Sequence, residues 1–196
     1  MRTAIYVDGG LFTEAVRGQG MSMNMDLMSL VEHLASGTKV VAVHFVVPEF
    51  PKHPYPNKNR NQKRQMEEYA AQGISIVYCQ PQVIGSIFVD RGIEATITSK
   101  AIVDAFADAF DRALFISCRA ELIPAIEAIR GIGKDVEVAY FTFADAPVNQ
   151  LGAVANRQKT ISIDEIVSRR KAGPAPYEMG SPTSLSGQAP RLDHNG

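Results

Sequence analysis

The sequence predicts an α/β fold built on a central, mainly parallel sheet of about five strands. Two observations lead there. Short runs rich in β-branched residues alternate with helix-compatible stretches of ten or more residues, the pattern of βαβ units closed by right-handed crossovers. Glycines stand where one element should stop and the next begin, at Gly9-Gly10, Gly37, Gly73 and Gly133.

Taken in order, Arg2–Val7 reads as a short buried strand stopped by Asp8-Gly9-Gly10, and Leu11–Val16 as the start of a helix. Asp26 is placed to cap a second helix, in which Leu27, Leu30, Val31 and Leu34 recur at three- and four-residue steps. Lys39–Val47 is the second buried strand. Pro48–Pro56, with four prolines, is a loop, and Lys58–Gln72 a polar helix with Gly73 at its C-cap. Ile74–Cys79 is the third strand, and Gln80–Asp90 a loop or small hairpin. Ala101–Phe110 has helical spacing that puts Ile102, Ala105, Phe106 and Ala109 on one face. Ala113–Ser117, Glu121–Ile132 and Val136–Phe143 complete the alternation as strand, helix and strand. These elements predict one domain over residues 1–168. The Gly-, Pro- and Ser-rich remainder, 169–196, is expected to be a disordered tail, because it has almost no apolar anchor to offset its ordering entropy.

Composition bounds the function. The 196 residues are 45% hydrophobic and 21% charged, enough for one packed core. A formal net charge of −1 means that nucleic-acid binding would have to come from a local patch. The apolar runs are too short for a membrane helix, which takes about 20 residues. The N-terminus enters a strand at once, without the order of a signal peptide. Cys79 and Cys118 sit in apolar runs and read as reduced, buried thiols, so a cytoplasmic protein is expected.

Ligands of open α/β sheets bind beyond the carboxyl ends of the strands. Asp8, Lys100, Arg119 and Glu121 follow or adjoin such ends and are expected to converge on one rim, where a carboxylate could hold Mg²⁺ through oxygen. Asp8 could equally be a helix cap. A basic run, Lys58, Arg60, Lys63 and Arg64, holds four cations and no acid, and can either track a phosphate backbone or be a solvated helix face. Phe50 and Tyr55 in the preceding loop could offer stacking surfaces. His33, His44 and His53 have no partner at metal-ligand spacing, and His44 reads as a packed strand residue.

Val7-Asp8-Gly9-Gly10-Leu11-Phe12 resembles the opening motif of NYN domains, and Arg91–Val138 is similar to the LabA-like NYN pattern without a gap. The matching segments are Arg91-Gly92-Ile93-Glu94, Ile102-Val103-Asp104-Ala105-Phe106, Ala113-Leu114-Phe115-Ile116-Ser117, Ile123-Pro124-Ala125-Ile126-Glu127 and Gly133-Lys134-Asp135-Val136-Glu137-Val138. The resemblance covers residues 3–166. It implies a PIN-like, Rossmannoid three-layer fold related to ribonucleases that use Mg²⁺ or Mn²⁺. It also marks departures. Asp8 is kept, Leu11 replaces an Asn, Lys100 and Arg119 replace two Asp, Glu121 stands for another, and Asn156 falls at the late acidic position. The matching positions then carry no net charge. Two unit charges ~4 Å apart interact by about 4 kcal/mol at an effective dielectric of ~20, so each cation can cancel one carboxylate's pull on a metal.

No metal or other cofactor is therefore expected, and nuclease activity should be weak or lost. Lys100 and Arg119 either meet a phosphate directly or are paired internally, Lys100 with Asp104 and Arg119 with Asp8 or Glu121. Three functions follow: a binder of RNA or a nucleotide phosphate; an active metal-dependent endoribonuclease using Asp8 and Glu121, helped by Glu94, Asp104 or Asp108; or a scaffold that self-associates or recruits a protein through its tail.

Overall fold

The structure, a computed structural model, describes residues 1–84, 87–89, 91–142 and 150–171. Six strands form one parallel sheet: β1 (Arg2–Asp8), β2 (Lys39–Pro48), β3 (Ser75–Cys79), β6 (Arg112–Ile116), β7 (Asp135–Phe141) and β8 (Arg157–Ile161). A separate antiparallel hairpin pairs β4 (Gln82–Ile84) with β5 (Ile87–Val89). Strand order is β3-β2-β1-β6-β7-β8. The chain therefore winds outward from β1 in one direction, then restarts beside β1 at β6 and winds outward in the other. The reversal falls between β1 and β6.

Because side chains alternate along a strand, β1 feeds two cores. Ile5 and Val7 join Phe12, Leu30, Phe45 and Tyr69 on the face covered by α1 (Gly9–Gly18), α2 (Leu27–Leu34), α3 (Pro56–Ala70) and α7 (Ile163–Val167). Ala4 and Tyr6 join Ile97, Phe115 and Ile126 on the other, under α4 (Ile93–Phe106), α5 (Ile123–Gly131) and α6 (Leu151–Val154). The result is a three-layer α/β fold of the expected class, with six strands in place of about five.

The added strand is β8, whose sequence Arg157-Gln158-Lys159-Thr160-Ile161 carries no apolar run. An edge strand needs one partner only, and charged side chains protect its open side. Helix α4 also differs from expectation. It starts eight residues early, runs through Thr96-Ile97-Thr98 and buries Ile93, Ile97, Ala101 and Ala105, whereas Phe106 is 72% exposed. Packing against β1 and β2 overrides the weak local preference of that β-branched stretch. The expected helix 121–132 opens instead with a single 3₁₀ turn, Ala120–Leu122.

At the far end, Ser162 caps α7 in a capping box with Glu165. The Asp26 amide donates to the Arg169 carbonyl at 2.8 Å, and the Lys171 amide to the Asn24 carbonyl at 3.1 Å. The segment up to Lys171 is thus tied to the 24–26 turn, and the rest of the expected tail, 172–196, lies outside the described residues. Among the described residues no helix is long and apolar enough to cross a membrane.

Candidate functional site

Asp8 ends the central strand and caps α1, both roles following from its place before two glycines. Its Oδ1 accepts the Leu11 amide at 2.9 Å. Gly9 lets this corner close: a side chain there would run into the Phe45 ring and stand 2.6 Å from the Val46 carbonyl. Across the β1/β6 reversal, Ser117 Oγ donates to Asp8 Oδ2 at 3.0 Å, and Arg119 Nε lies 3.0 Å from the same oxygen. Ser117 Oγ also accepts the Arg119 amide at 3.2 Å, which fixes the turn that aims the arginine. The other end of the guanidinium donates from Nη1 to Glu94 Oε1, in the first turn of α4, at 2.6 Å. Arg119 therefore bridges two carboxylates at the topological switch point, the position where such folds take ligands.

Asp8 has no solvent exposure. Burial pushes its carboxyl upward, and the Arg119 guanidinium, the Leu11 amide and the Ser117 hydroxyl pull the other way. Both its oxygens are engaged, and one of them faces a cation. That donor set does not fit a divalent metal, which would have to displace the guanidinium to reach the carboxylate. Among the described residues no group of three or more His, Cys, Asp or Glu could hold a metal.

The expected convergence of four residues is only partly realised. Arg119 and Glu121 line one open crevice with Leu11, Glu14, Cys118 and Gln150, while Asp8 lies buried behind Arg119. Glu121 is exposed, and among the described residues it makes no ion pair. Lys100 is elsewhere. It sits six residues along α4 from Glu94, roughly 9 Å at helical rise, and pairs with Asp104 at 2.5 Å. Asn156 lies at the opposite end of the sheet, where its Oδ1 accepts the amide of Val136 near the start of β7. Of the expected helper residues, Asp108 pairs with Arg2 and Lys134, away from the rim.

Asp104 organises a second cluster. Its Oδ2 accepts the Tyr6 hydroxyl at 2.8 Å and lies 3.6 Å from His44 Nε2. His44 is 8% exposed and stacks on Tyr6, ring centroids 5.5 Å apart. Among the described residues its Nδ1 has no partner. Burial lowers its pKa and nearby Lys100 lowers it further, with Asp104 opposing, so the imidazole is kept neutral. His44 is thus a packed strand residue, as its position in an apolar run suggests. Cys79 and Cys118 are buried thiols, neither of them in a disulfide. Burial and the Asp8 charge push the Cys118 thiol up, which makes it a poor nucleophile.

The basic run of α3 is split by the helix. Arg60, Lys63 and Arg64 lie 140–240° around the axis from Lys58 at about 100° per residue. With Lys52 and His53 they line an outer depression that contains one acid, Glu67. Lys63 pairs with Glu49 at 3.2 Å. Lys58 lines a separate cleft of about 230 Å³ between α1 and α3, over the carboxyl ends of β1 and β2. Its ammonium lies 5.6 Å from the Phe50 centroid and 5.2 Å from that of Tyr55. The two rings meet edge-on at 6.2 Å. The loop is held to α3 by Gln62, which accepts the Phe50 amide at 2.9 Å and donates to the Pro48 carbonyl at 2.8 Å, and by an Asn59 bond to the Phe50 carbonyl. Sequence spacing alone did not reveal this cleft, because its walls come from helices some 45 residues apart.

Comparison with known proteins leaves the family open. No family model matches the chain, and no curated protein does. A crystal structure of a protein of unknown function from Vibrio parahaemolyticus RIMD 2210633 is similar in fold, with a TM-score of 0.62 at 21% identity, over 84% of this chain and 94% of that one. That likeness bears on the fold alone.

Proposed function

We propose that this chain is an NYN-like protein that binds RNA or a nucleotide phosphate, with metal-dependent cleavage weak or lost. The seat of Arg119 carries the reading. A guanidinium held by both Asp8 and Glu94 stands where a nuclease of this kind would need clustered, unpaired carboxylates. Lys100 is likewise engaged with Asp104. Phosphate contact therefore falls to α3, where Lys58, Arg60, Lys63 and Arg64 present cations on two sides of one helix. A cytoplasmic setting belongs with this reading, since both cysteines are reduced thiols.

The test is a labelled single-stranded RNA incubated in Mn²⁺ and, separately, in EDTA. Binding should not require Mn²⁺, should weaken steeply with salt and should leave the RNA intact. Replacing Arg60 and Arg64 together by Ala should flatten the salt dependence by about one unit of slope per cation lost. Cleavage in Mn²⁺ that disappears in both Asp8→Asn and Glu121→Gln would establish the endoribonuclease instead. Absence of RNA binding even at low salt would leave the fold as a protein-interaction scaffold.

A further inference from the structure

We infer that the cleft between α1 and α3 is a subsite for one unstacked base of a single-stranded RNA, with Lys58 receiving the adjoining phosphate. The inference rests on the RNA-binding reading above and adds where, and by what chemistry, the strand is gripped. The cleft joins three features that a nucleotide needs together. Its floor is apolar, formed by Met23, Val47, Met66 and the Phe50 ring. Its volume, about 230 Å³, is below the roughly 300–1,000 Å³ of cavities that take drug-sized ligands, and suits a single heterocycle rather than a whole dinucleotide cofactor.

Its walls carry polar groups with hydrogen-bonding capacity to spare. Among the described residues the Thr13 hydroxyl and the Asn61 amide make no side-chain hydrogen bond, and Glu14 can accept from an exocyclic amine. The neighbouring Gln62 is different: both ends of its amide are used in holding the 48–50 loop, so the aromatic wall is fixed before any ligand arrives. Lys58 is exposed and rests over Phe50 and Tyr55, a contact it can exchange for a phosphate oxygen, and the Phe50 ring lines the cleft that takes the base. Charge supports a strand over a free nucleotide. Lys52, Arg60 and Arg64 add cations on the far side of α3 from the cleft, out of reach of a single nucleotide's phosphate.

Anisotropy of a labelled single-stranded RNA in EDTA tests this, against the same strand made abasic at every position and against mononucleotides. Base-containing RNA should bind the native chain about tenfold more tightly than abasic RNA, the range of one stacked base. Thr13→Trp fills the cleft without changing charge and should abolish that tenfold difference while keeping the salt dependence. Asn61→Trp should do the same from the opposite wall, and unchanged unfolding midpoints would show that both variants fold. Equal binding of the two strands by the native chain would overturn the base subsite and leave RNA binding by the backbone standing. Loss of binding to both strands at low salt would remove the RNA-binding reading and this inference together. A mononucleotide that binds as tightly as the strand would make free nucleotide the ligand and overturn the assignment to RNA.

Discussion

Arg119 holds two carboxylates that differ in how they can respond to its loss. Glu94 lies at the rim and can turn to water, whereas Asp8 is enclosed and cannot. Breaking a buried ion pair costs about 3–5 kcal/mol, and because Arg119 is itself 27% exposed we expect Arg119→Met to cost somewhat less, roughly 2–3 kcal/mol in urea unfolding. Adding Asp8→Asn to that variant should recover part of the loss, since it removes the stranded charge but keeps an acceptor for the Leu11 amide. His44 yields a pH dependence. Its folded pKa is depressed, so below about pH 6.5 the unfolded chain takes up a proton that the folded chain refuses. Stability should therefore fall as the solution is acidified from that point toward the depressed folded value. His44→Gln should flatten the slope, and Lys100→Met should shrink it by letting the imidazole protonate in place. An unaltered slope in His44→Gln would assign the effect to other groups.

At the scale of elements, α4 shows which signals a sequence carries and which it does not. The helical spacing around Ile102, Ala105 and Phe106 is real, but of the three only Ala105 is fully buried and Phe106 faces solvent; the buried stripe runs back from Ala105 through Ala101 and Ile97 to Ile93, in a β-branched stretch. The two faces make opposite predictions. Ile97→Ala should destabilise by about 2–5 kcal/mol, while Phe106→Glu should change stability by no more than about 0.5 kcal/mol. The reverse order would restore the face expected from sequence. α7 was missed because it is one short turn whose signature is the cap rather than a periodic face. Ser162→Ala should cost about 1 kcal/mol and, by loosening the segment that pairs with Asn24–Asp26, lower amide-exchange protection at Asp26. Where a helix or strand is long and covered on a single plan, as in β1, β2 and α2, its bounds could be read to within about two residues. The short edge elements owe their existence to neighbours that no local pattern announces.

For the whole molecule, the alternation of strands and helices was enough to state the class and the rim, since parallel connections leave few topologies. It could not say which rim residues would touch. The Arg119–Asp8 contact was among the pairings the sequence allowed, but the Arg119–Glu94 contact depends on α4 starting early, and the split of the basic run depends on where α3 faces its loop. Strand order has a further consequence, for the birth of the chain. β1 finds its second neighbour only in β6, and Ser117 reaches Asp8 from 109 residues downstream. At roughly 5–20 residues per second a ribosome needs on the order of 5–20 s to span that interval. Through that time the nascent first half carries β1, a strand buried over six of its seven residues in the finished fold, as an open edge. Chains stalled before Arg112 should accordingly be held by chaperones or aggregate, and those released after Ile116 should begin to escape that fate.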